Sequence, residues 1–197
     1  MSEIIPAILE KNFNEIKNKL TVLRENARCA HIDLCDGLLV PSQSWPFASG
    51  GFDDFDFRKI IKRLIFHPDL GGEIEEFEHF LEGLDMYIRD NVEIGIAFKP
   101  RDDLSVVSRL SHKADFLHCM GSDKIGFQGE NFSDKALENI KFLKKNLPGI
   151  RISVDIGINL ENVEIILNAG ADRLTIGSSI WKNLDPIGAL QSFQNLV

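Results

Sequence analysis

The chain has 197 residues, 44% apolar and 26% charged, the make-up of one soluble globular domain with a sizeable core over residues 1–197. Its net charge of −8 argues against a nucleic-acid or membrane surface, which needs a basic patch, but not against a small anion held by backbone N–H groups. Three cysteines are too few for a disulfide scaffold, and neither a basic leader nor a membrane-length apolar run is present, so a reduced, cytoplasmic protein is expected.

Short apolar runs alternate with longer amphipathic ones. Ile4–Leu9 reads as a strand, and Phe13–Glu25 as a helix with apolar residues at Phe13, Ile16, Leu20 and Leu23. Cys29–Cys35, Val92–Phe98, Ala114–Met120, Arg151–Asp155 and Arg173–Ile176 read as further strands. Helices are expected at Ser133–Asn146, with Ser133 as N-cap, near Leu160–Asn168, and from about Asp185. Strands separated by helices imply a parallel sheet with crossovers, either doubly wound or closed into a (β/α)8 barrel. For a barrel the chain is short. The shortage falls between the strands centred near 32 and 94, a gap of 62 residues. Only two strand candidates fit there: Arg63–His67 with either Asp54–Phe57 or Leu84–Ile88. Neither pair leaves the dozen residues that a parallel crossover takes, so one βα unit is expected to be shortened or missing between residues 48 and 92.

Chemistry concentrates in four segments. In His31-Ile-Asp-Leu-Cys-Asp-Gly37, alternation puts Cys29, His31, Asp33 and Cys35 on one face. Ala30, Ile32 and Leu34 form an apolar outer face under helices. His31 and Asp33, two residues apart, can ligate one metal ion; a core histidine beside a capping aspartate is the plainer alternative. Asp155 ends the strand of Ser153-Val-Asp-Ile-Gly-Ile-Asn159, where parallel α/β folds keep their active sites. There Gly157 permits close backbone approach, and Asn159 is placed to cap the next helix. In Ile176-Gly-Ser-Ser-Ile180, a glycine and small hydroxyls between strand and helical turn suit phosphate. The loop after Met120 carries Gly121, Gly126 and Gly129, as a ligand-hugging or merely flexible loop would. His67, His79, His112 and His118, each taken alone, read as surface or core residues rather than ligands.

Together these segments resemble the ribulose-phosphate 3-epimerase family. The likeness runs through Ile5-Pro-Ala-Ile-Leu9, His31-Ile-Asp-Leu-Cys-Asp-Gly-Leu-Leu-Val-Pro41, Met120 with Gly126-Phe-Gln-Gly129, Ser153-Val-Asp-Ile-Gly-Ile-Asn-Leu-Glu-Asn162 and Asn168-Ala-Gly-Ala-Asp-Arg-Leu-Thr-Ile-Gly-Ser-Ser-Ile180. It implies a (β/α)8 barrel that interconverts D-ribulose 5-phosphate and D-xylulose 5-phosphate, a step of pentose phosphate metabolism, through an enediolate. Asp33 and Asp155 would be the acid/base carboxylates. His31 would join them around a divalent metal, zinc before iron or manganese. Gly157, Gly177 and Ser178, helped by Gly129, would bind phosphate, and Cys35 and Met120 would line the pocket. The expected partner is a small sugar phosphate, with a homo-oligomer left open.

The chain departs from the family's pattern at several positions. The second metal histidine, in an H-L-M sequence on the family's third strand, has no counterpart. His67 in Ile65-Phe-His-Pro-Asp69 could substitute or could belong to the fourth strand; Asp54 or Asp56 could supply a carboxylate instead. Cys35 replaces a methionine, Ala7 a serine, and Ile156 the first glycine of V-D-G-G. These changes keep two other readings open: a related sugar-phosphate barrel enzyme (isomerase, aldolase or decarboxylase) and a non-catalytic phosphate-binding barrel.

Overall fold

A computed structural model describes residues 2–38, 40–49, 62–70, 74–84, 90–126 and 130–197. Its strands are β1 (Glu3–Ile8), β2 (His31–Ile32), β3 (Arg63–Phe66), β4 (Glu93–Phe98), β5 (Phe116–Met120), β6 (Arg151–Asp155) and β7 (Arg173–Ile176). All pair in parallel, in the order β2-β1-β7-β6-β5-β4-β3. The α-helices are α1 (Phe13–Leu23), α2 (Ile74–Glu82), α3 (Leu104–Leu110), α4 (Asp134–Asn146), α5 (Val163–Asn168), α6 (Ser178–Trp181) and α7 (Pro186–Gln194). Side chains start several of them as the sequence suggests. The Ser133 hydroxyl accepts from the Lys135 N–H, and the Asp185 carboxylate accepts from the Gly188 N–H.

The sheet is curled, not open. Glu3 on β1 reaches Arg63 on β3 at 3.0 Å, although four strands lie between them along the sheet. The His31 ring on β2 lies 5.9 Å from the His118 ring on β5, although three strands lie between them. Contacts of this kind need the inner face of a barrel, which excludes the doubly wound alternative. The observed sheet is that of a (β/α)8-type barrel, with β2 and β3 as the terminal described strands.

The region between residues 48 and 92 is partly visible. The expected strand Arg63–His67 is β3, paired with β4. Asp54–Phe57, with Asp54 and Asp56, lies outside the described residues, and of Leu84–Ile88 only Leu84 is described. With nine residues, α2 makes two and a half turns. Among the described residues, no helix is long and apolar enough to cross a membrane.

The barrel interior is layered. At the end where the strands begin, Glu3, Arg63, Glu93, Arg151 and Arg173 form one ionic network. Above it lies the buried Phe116 ring, with the Arg173 guanidinium 5.1 Å from its centre. Gly95 on β4 makes room for that ring, since a Cβ there would stand 2.4 Å from Phe116 Cζ. Nearest the strands' C-terminal ends come His31, His67, His118 and Asp155. Outside the barrel, Ile16, Leu110, Ile140, Leu143, Ile166 and Leu190 bury the helices' apolar stripes against the sheet.

Candidate active site

The expected second strand, Cys29–Cys35, is regular only over His31–Ile32. The Asp33 N–H still donates to the Ile8 carbonyl at 2.9 Å, after which the chain turns away. Ser44 holds that turn: its hydroxyl donates to the Asp33 carbonyl at 2.6 Å and accepts from the Cys35 N–H at 2.8 Å. The expected outer face is correspondingly incomplete. Ala30 and Ile32 pack against the core, but Leu34 is exposed because it lies past the last strand residue.

His31 and Asp33 share the inner face as alternation requires, with Nε2 and Oδ1 2.8 Å apart. Burial alone would depress the His31 imidazole, but the Asp33 carboxylate, with Asp155 behind it, carries it up to about 9. Burial would raise Asp33, yet His31, His67 and His118 hold it below the ordinary carboxylate value. His67 follows β3 directly and packs edge-on to His118, with ring centres 6.1 Å apart. Burial and the neighbouring His118 push its pKa down to about 4. His67 and Met120 also line a small cavity with Phe98, Lys99, Asp102 and Ile125. Cys35 stands half-buried past the strand end, its thiol pKa raised by burial and by the Asp33 charge.

Asp155 ends β6, in register with Met120 and Thr175. The Ile156 N–H donates to its Oδ1 at 2.6 Å. Ile156 has φ +70° and Gly157 φ +76°, so two successive residues adopt the left-handed conformation. For a β-branched residue this is strained by roughly 1–3 kcal/mol. The turn fixes Asp155 at the mouth and presses Gly157 under the loop after β5. A Cβ on Gly157 would stand 2.5 Å from the Phe132 backbone nitrogen. Gly157→Ala is therefore expected to destabilise the protein by at least ~1–2 kcal/mol, read as a lowered melting temperature.

The phosphate-binding candidates are adjacent in part. The Ser179 hydroxyl donates to the Ile158 carbonyl at 2.6 Å, tying the loop after β7 to the loop after β6. Gly177 caps the one-turn helix α6, of which Ser178 is the first residue. Asn159, expected to cap the next helix, accepts at its side-chain oxygen from the Glu161 and Asn162 N–H groups in the turn before α5, while the residue at the N-cap of α5 is Asn162. Gly129 lies outside the described residues, but Gly126 packs against Val40, so the loops after β5 and β2 meet over the mouth.

His118, which the sequence reads as a surface or core residue, lies in the core of the barrel. It is fully buried at the site, with Nε2 3.8 Å from Asp155 Oδ2 and its ring nearly parallel to that of His31. The signal available in the sequence was its position two residues before Met120, on the same inner face. His79 and His112 are exposed, as expected.

In kind, this donor set suits a divalent ion. Imidazoles and carboxylates from four strands gather at one mouth, and both His118 ring nitrogens lack a hydrogen-bond partner. As they stand, the side chains form two pairs, His31–Asp33 and His118–Asp155; among the described residues no group of three is placed to hold an ion.

The Ribulose-phosphate 3 epimerase family profile matches residues 56–181. A ribulose-phosphate 3-epimerase of Bacillus subtilis is 26% identical, covering 94% of this chain and 94% of its own length. One of Schizosaccharomyces pombe is 27% identical over 100% and 94%. Among solved structures, KGPDC from Streptococcus mutans superposes with a TM-score of 0.70 at 13% identity, covering 99% and 96% of the two chains. The 3-hexulose-6-phosphate synthase of Salmonella typhimurium gives 0.68 at 15% identity, covering 98% and 97%. These two share the fold. With a profile match across well over half its length and relatives of this name that cover nearly all of it, this chain is a sugar-phosphate epimerase of the isomerase class and belongs to the ribulose-phosphate 3-epimerase family.

Proposed function

We propose that the protein interconverts D-ribulose 5-phosphate and D-xylulose 5-phosphate by proton transfer at C3. One observation carries the reading: Asp33, just past the end of β2 and 2.8 Å from His31, and Asp155, at the end of β6 and 3.8 Å from His118, stand at the C-terminal mouth of the barrel, where the His31 and His118 rings face each other. Inversion at carbon needs a proton taken from one face and returned to the other. Two carboxylates on different walls can divide that work. One removes the C3 proton to leave an enediolate, and the other reprotonates the opposite face.

A divalent metal, zinc before iron or manganese, would be held by His31, Asp33 and Asp155, with His67 as a further histidine near the mouth, and would stabilise charge on the substrate oxygens as a Lewis acid. The backbone N–H groups around Gly157, Gly177 and Ser178 would bind the phosphate, with Gly129 as a further contributor. The deciding experiment is turnover of ribulose 5-phosphate with and without a chelator. Turnover abolished by chelation and restored by added metal is expected. A folded protein that leaves ribulose 5-phosphate unchanged in the presence of zinc, iron and manganese overturns the reading.

The phosphate subsite has its own test. A Cβ on Gly177 would meet only Ala7, at 3.6 Å from its Cβ and 3.9 Å from its carbonyl oxygen. Gly177→Val is expected to fold, to keep its metal, and to raise KM for the phosphate ester roughly tenfold or more, the equivalent of one lost charge-assisted hydrogen bond. Unchanged substrate affinity would place the phosphate elsewhere.

A further inference from the structure

His118 sits in the middle of β5, in register with Ser153 of β6. Nothing of its side chain reaches solvent, and neither ring nitrogen has a hydrogen-bond partner. A neutral imidazole carries one N–H and one lone pair, so both a donor and an acceptor are buried unmet. Each costs roughly 1–3 kcal/mol, which an apolar side chain at this position would not incur. Packing alone therefore gives no reason for histidine here. The surroundings do: the His31 ring lies parallel at 16° with its centre 5.9 Å away, the His67 ring stands edge-on, and Asp155 Oδ2 lies 3.8 Å from Nε2. At 3.8 Å the imidazole and carboxylate are too far apart to bond to each other. A group between them that accepts electron pairs from both satisfies both, and a divalent cation is such a group.

We infer that His118 is a metal ligand, acting with Asp155 on a divalent ion, zinc first, so that β5 supplies a histidine to the site. The inference deepens the metal-dependent epimerase reading and rests on it. It also explains why the donors stand as two pairs: His31–Asp33 on one wall and His118–Asp155 on the other are the halves of one shell.

The test compares the full-length wild type with His118→Leu and His118→Cys, measuring Zn²⁺ affinity by chelator competition and the absorption spectrum of the Co²⁺-loaded proteins. The wild type is expected to bind one ion per chain. His118→Leu should melt, metal-free, at or above the wild-type temperature, since its unmet polar atoms are gone. It should lose at least the ~10–100-fold in Zn²⁺ affinity that even an outer-shell partner is worth. His118→Cys should retain Zn²⁺, and its Co²⁺ form should show a thiolate-to-metal charge-transfer band that the wild type lacks.

Wild-type Zn²⁺ affinity and Co²⁺ spectrum in His118→Leu would overturn the inference, as would loss of substrate affinity alone with metal binding intact. If His118→Leu does not fold, His118→Cys decides by the presence or absence of its band. A wild type that takes up no metal but turns over ribulose 5-phosphate overturns the role of His118 and leaves the epimerase reading standing. Metal bound through residue 118 without any turnover upholds the ligand and overturns the epimerase reading.

Discussion

Asp33→Asn and Asp155→Asn should each lower turnover of ribulose 5-phosphate by at least ~10²-fold, the lower end of what a positioned acid or base contributes. Asparagine keeps the shape of each side chain and removes its capacity to take up a proton. In Asp33→Asn the His31 imidazole also loses the carboxylate that sits 2.8 Å away and raises its pKa most. In Asp155→Asn the Ile156 N–H can still be met by the amide oxygen, so the strained turn is expected to persist. Metal content must be measured in both variants, because either carboxylate can serve as a ligand. Near-normal turnover by either one rules out the two-carboxylate mechanism. Exchange with solvent deuterium at C3 separates the roles: a variant that exchanges the proton of one epimer without inverting it retains the carboxylate serving that face.

The second large effect lies at the opposite end of the barrel. Glu93 Oε2 accepts from Arg63 Nε at 2.9 Å and from an Arg173 guanidinium nitrogen at 2.8 Å, while Oε1 accepts from Arg151 at 2.8 Å. Glu93→Gln leaves three guanidinium groups around one neutral amide. The Arg173 side chain, only 6% exposed, keeps Glu3 at 3.4 Å as its remaining partner. Removing one partner of a buried pair typically costs ~3–5 kcal/mol, and because Glu93 is itself 30% exposed, a loss near ~3 kcal/mol is expected. For a chain of this size that is a fall of roughly 6–12 °C in melting temperature.

The pH dependence has a definite sign. Burial would raise the Glu93 carboxyl, but Arg63, Arg173 and Arg151 hold it below its ordinary value of 4.5. Its stabilising contribution is therefore complete above the unfolded-state pKa and lost as pH falls through the lower folded-state value. The wild type should lose stability on that acid limb more steeply than Glu93→Gln. Parallel acid limbs would show that the network adds nothing measurable. A substitution on this floor should change stability far more than KM, since it lies at the end of the barrel away from the mouth.

Most of the strand and helix pattern was legible in the sequence because both rest on local rules. Arg151–Asp155 and Arg173–Ile176 are strands with the expected bounds, since apolar runs flanked by turn residues need little beyond their own pattern. Ser133 and Asp185 cap helices because a short polar side chain can reach the N–H groups of the first turn without any tertiary partner. The pairing of His31 with Asp33 likewise follows from the two-residue period of extended chain. Other features depend on groups distant in sequence. Strand β2 ends after two residues because Ser44 captures the backbone at Asp33 and Cys35. Leu34 is left exposed where a continued strand would have covered it. Closure into a barrel rather than an open sheet shows only in contacts such as Glu3–Arg63, from strands 60 residues apart in the chain. His118 shows the same limit most sharply. Its position in an apolar strand reads as core, and it is buried as a core residue is; pairing with β6 puts Asp155 beside that imidazole, and only the curl of the sheet, by bringing β5 opposite β2, adds His31 and Asp33 to its neighbours.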